Sequence, residues 1–417
     1  NPDRYVAMWV AVSGATGAQI RLWTDCLALG RAHDADGDGV DDVIVLNQYR
    51  SQAELRSGRT DTLIHTFYWG PSGWDILGAP VPVGDVDADG TADICFAYPG
   101  DWSQYVPATG FAVYSGRPPF ARIMRIYSWV GGNTFGLTVF GPGDLDGDGH
   151  ADIAAFDYGD RMNCCGVAYT AVFSGRTGLP ILLFGPPFNN DGFFGNAAPG
   201  DVDGDGVGDL AGFGPGMAVR SGRDGSVLCS LPVIDPRYGV EGYPVAAGDL
   251  DGDEIPDLLV GNTEPSWLGP YRRVTAWSLR HPDVVVTGSG CSAGAGTAPR
   301  VGATRGPVIG TDFAVHVSRC EPNRNAMLFV GFSTTQFGGI GLPLDLGAYG
   351  FPGCALRVSI DALIEATTTG RPGNGRATVL LPIPADPALV GMRFHVQWAL
   401  AESAGLALTR ALSCTIR

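Results

Sequence analysis

Lysine is missing from this chain: all 27 basic residues are arginine. A chain without lysine has no Walker-type phosphate lysine and cannot form a lysine Schiff base. No run of 18 or more apolar residues occurs, so no candidate transmembrane helix exists. Cysteines at Cys-x-x-Cys or Cys/His zinc spacing are absent, and so is the His-Glu-x-x-His motif of metalloproteases. Long amphipathic segments of helical period are also absent, and only the stretch 361–366 is a candidate for a short helix. The opening Asn1-Pro2-Asp3 has no basic start, apolar run or small-residue cleavage site. A targeting segment is therefore expected either to have been removed or never to have been included. The net charge of −16 argues against nucleic acid as a partner.

What is abundant points elsewhere. The 417 residues include 62 Gly and 30 Pro, a heavy load of turn formers between short β-branched and aromatic strands. Hydrophobic residues make up 45% and charged residues 17%, which suits packed domains and excludes a disordered chain. The expected fold class is all-β.

The acid is concentrated. Five short loops hold 22 of the 43 Asp and Glu residues, and each repeats one pattern, D-x-D-x-D-G-x-x-D. Loop I has Asp34, Asp36, Asp38 and Asp42; loop II has Asp85, Asp87, Asp89 and Asp93; loop III has Asp144, Asp146, Asp148 and Asp152. Loop IV has Asp201, Asp203, Asp205 and Asp209; loop V has Asp249, Asp251, Asp253 and Asp257, with Glu254 where the others have glycine. The starts lie 51, 59, 57 and 48 residues apart. A short apolar strand follows each loop, at 43–46, 94–97, 153–156, 210–213 and 258–260. A Ser-Gly-Arg signal then begins at Ser57, Ser115, Ser174 and Ser221, with a weaker copy, Ser278-Leu279-Arg280. One unit is strand, acidic loop, strand, variable loop, strand, Ser-Gly turn, strand. Four antiparallel strands in roughly 50 residues make a propeller blade. The N-terminus shows only the back half of a unit, so five full blades and a half blade are visible. A propeller must close its ring. Other strands of this chain, upstream residues or a neighbouring molecule are the three ways to complete the half blade.

The loop spacing gathers the carboxylates of positions 1, 3, 5 and 9 around one point. The position-7 carbonyl, of Val40, Thr91, His150, Val207 or Ile255, adds another oxygen. Hard oxygen donors in a tight turn suit Ca²⁺, which accepts about 6–8 of them; Mg²⁺ demands stricter octahedral geometry. About five structural Ca²⁺ are expected, contributing +10 and bringing −16 to −6. Extracellular calcium modules bind at roughly 10⁻⁴–10⁻³ M, so such sites fill outside the cell. His150 sits at a carbonyl position, as a bystander.

These loops, with preceding segments such as Phe135-Gly136, Phe194-Gly195 and Gly248-Asp249, resemble FG-GAP (VCBS-type) repeats. The resemblance covers about residues 1–282 and implies the calcium-bearing propeller of integrin alpha chains and many bacterial surface proteins. Such propellers serve adhesion, carbohydrate binding and lyase scaffolds alike, so it implies fold and calcium rather than one function.

After Pro282 the acidic loops stop. Residues 283–417 are expected to form a second domain, a β-sandwich of seven or eight strands. Strands are expected at 284–286, 313–317, 327–332, 355–360, 377–381 and 394–399. Gly290-Cys291, Cys354 and Gln397-Trp398 resemble a C-terminal module of secreted proteins from planctomycetes and similar bacteria. Four of the nine cysteines lie here. Of three possible connectivities, Cys291–Cys354 with Cys320–Cys414 is favoured. Cys164 and Cys165 are adjacent in a variable loop and are candidates to staple it.

Ligands are expected on the variable loops between the second and third strands. These carry Trp102 and Tyr105, Asp160 and Arg161, and Trp267, Tyr271, Arg272 and Arg273. Aromatics with Arg and Asp suit a carbohydrate or protein ligand; packing between blades is the plainer role for the aromatics. The expected function is a secreted or cell-surface, calcium-stabilised binding or adhesion protein. One alternative is an extracellular carbohydrate-active enzyme using Asp101, Asp157 or Asp160; the other is a structural subunit that self-associates through the half blade or second domain.

Overall fold

The computed structural model describes residues 8–13, 15–24, 26–47, 52–68, 80–98, 110–128, 135–136, 138–157, 169–185, 193–213, 216–231, 244–264, 271–292, 297–372 and 374–417. Among them the elements are strands and two 3₁₀ turns. Of five four-stranded sheets, four are joined in simple up-and-down order. Blade I comprises Cys26–Arg31, Val43–Asn47, Gln52–Arg56 and Leu63–Tyr68; blade II, Val81–Gly84, Asp93–Tyr98, Gly110–Tyr114 and Arg122–Tyr127. Blade III comprises Thr138–Gly143, Asp152–Asp157, Tyr169–Phe173 and Pro180–Phe184; blade IV, Phe194–Gly200, Asp209–Phe213, Met217–Arg220 and Val227–Leu231. Blade V has three strands, Pro244–Gly248, Asp257–Glu264 and Tyr271–Trp277. The strand after its Ser278 turn, Val284–Thr287, pairs instead with Gly405–Thr415.

By internal contacts the chain divides into two compact units, 1–198 with 211–217 and 199–210 with 218–417. In the first, successive blades pack face to face. Phe67 of blade I meets Phe96 of blade II at 5.1 Å and Tyr114 at 5.5 Å, and Phe111 of blade II meets Phe173 of blade III at 5.8 Å. The middle strands of blades II and III are buried on both faces, as Phe96, Phe111, Ile153, Ala171 and Phe173 show. Flat aromatic and β-branched side chains fill such a two-sided layer, which drives the stacking by removing apolar area from water. The result is an all-β propeller architecture.

The N-terminal half blade is a hairpin of Met8–Val12 and Gln19–Thr24. It is pinned to the turn of blade I. Arg21 donates to the carbonyls of Ser57, Gly58 and Arg59, and the Trp23 indole donates to Asp61 at 3.2 Å. Its opposite face exposes Val10, Val12, Ile20 and Leu22.

In the second unit, residues from 284 onward form two short two-stranded sheets and two large ones. One orders Val284–Thr287, Gly405–Thr415, Arg393–Glu402, Asn325–Gly331 and Ala362–Thr367; the other, Arg300–Thr304, Asp312–Cys320, Asn374–Pro382 and Thr369–Arg371. Phe313, Val315, Val317 and Val379 of one sheet share a core with Leu328, Phe394, Val396 and Trp398 of the other, the inter-sheet packing of a β-sandwich. The short helix expected at 361–366 is instead a strand. Met327 pairs with Glu365 and Leu328 with Ile364, so edge pairing overrides the helix propensity of Ala and Glu. The strand expected at 355–360 shrinks to Ala355–Leu356.

Cys291 and Cys354 form a disulfide. The second expected pair does not form. Cys320 and Cys414 are separate buried thiols, and Cys320 Sγ donates to Gly375 O within its own sheet. The reason is their placement along the sandwich. Cys414 is registered opposite Phe394, whose ring packs on Phe313. Cys320 closes the strand Asp312–Cys320 at its far end, about 23 Å of extended chain beyond Phe313. Cys164 and Cys165 lie outside the described residues.

Candidate metal centres

Each acidic loop is a chain of aspartate turns. The position-1 carboxylate caps the loop: Asp34 Oδ1 accepts from the amides of Gly37 and Asp38, and its Oδ2 from Gly39 at 2.8 Å. The position-6 amide makes the same bond in loops II to V, to Asp85, Asp144, Asp201 and Asp249. That bond needs a left-handed position 6, where φ is 83° at Gly39 and 88° at Gly149; Glu254 adopts 73° without glycine's freedom. These amide bonds hold the carboxyls of Asp34 and Asp249 below their ordinary range.

Position 9 opens the second strand in blades II to V and ties the blade together. Its Oδ2 accepts from the position-2 amide in all five loops: Ala35 to Asp42, Val86 to Asp93, Leu145 to Asp152, Val202 to Asp209 and Leu250 to Asp257, at 2.6–2.8 Å. Its Oδ1 accepts from the glycine of the Ser-Gly-Arg turn: Gly58 to Asp42, Gly116 to Asp93, Gly175 to Asp152 and Gly222 to Asp209, at 2.9–3.0 Å. This explains the turn signature. A Cβ at Gly58, Gly116 or Gly175 would run into the carbonyl oxygen of Asp41, Ala92 or Ala151. The serine hydroxyl caps the turn, Ser115 Oγ accepting from the Arg117 amide and Ser221 Oγ from that of Arg223. The arginine returns to the acidic loop. Arg59, Arg117 and Arg223 donate to the position-5 carbonyls of Asp38, Asp89 and Asp205 and face those carboxylates. Sequence spacing showed the turn but not its partner, because the bonded residues lie 13–23 positions apart.

The loops therefore gather positions 1, 3 and 9. Carboxylate oxygens of Asp34, Asp36 and Asp42 lie within 4.8 Å of one another, as do those of Asp85, Asp87 and Asp93, and of Asp144, Asp146 and Asp152. Asp201, Asp203 and Asp209 repeat the arrangement, and so do Asp249, Asp251 and Asp257. The position-5 carboxylates stand outside these groups. Asp38, Asp89, Asp148, Asp205 and Asp253 accept from their own position-7 amides, of Val40, Thr91, His150, Val207 and Ile255. Burial pushes the carboxyls of Asp93 and Asp152 up to about 6 and that of Asp209 well above its ordinary value. Clustered, desolvated carboxylates of this kind are what a divalent cation neutralises. The donors are all oxygen, which fits a hard cation and not a soft one. Neighbouring loops also touch: the Ala151 amide donates to Asp85 O, and His150 Nδ1 lies 2.7 Å from Val86 O.

Loop V departs from the others. Leu279 replaces the turn glycine, and Asp257 Oδ1 and Asp253 Oδ2 are buried without a hydrogen-bond partner among the described residues. Arg410, from the strand Gly405–Thr415, donates to Asp253 O at 3.3 Å, the carbonyl that the turn arginine meets in loops I, II and IV.

Of the expected ligand residues, Trp102, Tyr105, Asp160, Arg161 and Trp267 lie outside the described residues, as does Asp101. Tyr271 and Arg272 fall on the third strand of blade V, opposite Glu264 and Thr263. Asp157 is buried at the end of a blade III strand. The spelling Gly290-Cys291-Ser292-Ala293-Gly294 matches the G-x-S-x-G of a nucleophile elbow and escaped the sequence reading. Here Cys291 is tied to Cys354, and no α-helix follows among the described residues, so the strand–turn–helix context of that motif is missing.

No protein-family model matches the chain, and no curated protein matches it. Among solved structures it is similar to the Dos1 propeller, with TM-score 0.36, 9% identity, and 61% of this chain and 60% of that chain covered. It is also similar to the rhamnogalacturonan lyase YesW, with TM-score 0.31, 16% identity and coverage of 76% and 60%. The match spans about 60% of the length of each of these chains. Likeness at this level carries no argument about activity, and the propeller architecture here stands on the sheets and their packing.

Proposed function

We propose that this chain is a secreted or cell-surface protein of FG-GAP type, in which Ca²⁺ stiffens each blade and the propeller presents a binding surface for a carbohydrate or protein. The observation that carries the proposal is the fivefold gathering of positions 1, 3 and 9, each anchored on a buried position-9 aspartate. All donors are oxygen, and three carboxylates at this spacing repel one another unless a cation joins them. The Cys291–Cys354 disulfide fits an oxidising compartment, and millimolar calcium outside the cell matches modules of this class.

Calorimetric titration of chelator-treated protein with CaCl₂ tests the cation reading. The expected result is about five ions per chain at roughly 10⁻⁴–10⁻³ M, with Mg²⁺ competing poorly. Fewer than two bound ions at millimolar calcium would overturn it. The ligand surface is assigned to the loops carrying Trp102, Tyr105, Asp160, Arg161 and Trp267, with Tyr271 and Arg272 at the start of the strand that follows the last of them. A glycan and peptide array compared between wild type and Trp102→Ala with Trp267→Ala checks that assignment; signals unchanged by both substitutions would remove it.

A further inference from the structure

Loop IV differs from its siblings in depth. Asp203, Asp205 and Asp209 are 5%, 3% and 0% exposed, whereas in the other loops position 9 is the one buried aspartate. The sandwich strand Arg300–Thr304 covers it. Arg300, itself 3% exposed, donates to Asp201 O at 2.6 Å and stands 3.3 Å from Asp201 Oδ2. The Thr304 hydroxyl donates to Asp203 Oδ2 at 2.6 Å. Its oxygen then accepts from His316 Nε2, also at 2.6 Å, which leaves Nδ1 to accept from the Thr378 hydroxyl at 2.9 Å. That order fixes the imidazole tautomer and locks Thr304 toward the loop. Between the two side chains the backbones of Gly204 and Gly302 pack so closely that a Cβ on either would collide with the other segment. Arg376 reaches Gly206 O at 3.5 Å.

Loop V is seated on the sandwich too, with Arg410 on Asp253 O and 3.4 Å from Glu254 Oε1. Its Asp257 is 2% exposed, and Oδ1 has no hydrogen-bond partner among the described residues, the state a carboxylate reaches when its counter-charge is a bound ion.

The sandwich thus recognises loop backbone carbonyls and one position-3 carboxylate. Those atoms converge only while the loop keeps its fold, and in loop IV that fold brings Asp201, Asp203 and Asp209 within 4.8 Å of one another. We propose that the cations of loops IV and V are latches for the sandwich: while bound they hold the loops in the shape that Arg300, Thr304 and Arg410 grip, and their removal frees those strands. This rests on the reading that the loops bind calcium.

Hydrogen exchange of the full chain, read by mass spectrometry with saturating CaCl₂ and after chelation, tests it. Chelation is expected to speed exchange at least tenfold in peptides covering 300–304 and 405–410. At fixed calcium, Asp203→Asn in loop IV is expected to reproduce the effect at 300–304, and Asp36→Asn in loop I to leave that strand unchanged. Thr304→Val is expected to free the strand while the calorimetric calcium count stays the same, which separates the grip from the ion. If ions bind but chelation leaves both peptides protected, the arginines hold the loops unaided and the latch is overturned while the calcium reading stands. If no calcium binds, both fall. Equal loosening of 300–304 by Asp36→Asn and Asp203→Asn would also overturn the latch, since it would mark a general loss of stability.

Discussion

Loops III and V carry the same aspartates at positions 1, 3, 5 and 9, yet they are held by different means. In loop III the blade supplies both halves of the clasp: Asp152 accepts from the Leu145 and Gly175 amides, one before it in the chain and one from the turn beyond. In loop V the turn glycine has become Leu279, half of that clasp is missing, and an arginine from a distant strand stands in for the blade's own. The difference shows that the acidic loop and the Ser-Gly-Arg turn are one device. Where the second half is lost, the first is left with orphaned oxygens and needs outside support.

The largest expected effect removes the clasp altogether. At saturating calcium, Asp152→Ala strands two buried amides and is expected to destabilise the fold by about 4 kcal/mol, against about 2 kcal/mol for Asp257→Ala, which strands one. Equal losses in denaturant unfolding would erase the distinction between the loops. Next, Gly175→Ala drives a Cβ into the Ala151 carbonyl and is expected to cost about 3 kcal/mol, read as a fall in the melting midpoint. A midpoint at the wild-type value would show that the turn tolerates a side chain and that Leu279 is no defect. Smaller again, Arg117→Ala removes an exposed arginine and is expected to cost about 0.5 kcal/mol in the same assay. The smallest change is a gain. Ala88 sits at position 4 of loop II with φ of 60°, where loops I, III, IV and V have glycine, and Ala88→Gly is expected to stabilise by about 0.5 kcal/mol. A loss instead would mean that the left-handed cost is already compensated.

The acidic loops were legible because their chemistry is local: nine residues in one turn carry the whole pattern. The four-stranded units were legible for the same reason, since alternating apolar runs and turn signals recur at short range. The purpose of the Ser-Gly-Arg turn was not, because the amide of Gly175 and the carboxylate of Asp152 are brought together by pairing of two strands. Cysteine pairing failed in one case for the same reason: Cys320 and Cys414 share a core but lie toward opposite ends of their sheets. At 361–366, local propensity pointed to a helix while the edge of Asn325–Gly331 required a strand. The strand at 284–286 was legible as part of the second domain and pairs there with Gly405–Thr415, but the fifth unit, expected as a full blade, keeps three strands.

Position 9 and the turn glycine fasten one end of the second and third strands, so nothing in that clasp constrains the other end. The connections there run to 4, 11, 11, 3 and 6 residues in blades I to V, while the acidic connection is eight residues in blades II to V. Each blade therefore has a fixed end and an editable one. A foreign peptide spliced between Asp157 and Tyr169 is expected to leave the Asp152–Gly175 clasp in place, because that clasp lies at the opposite end of the two paired strands, which makes this architecture a natural carrier for grafted recognition loops.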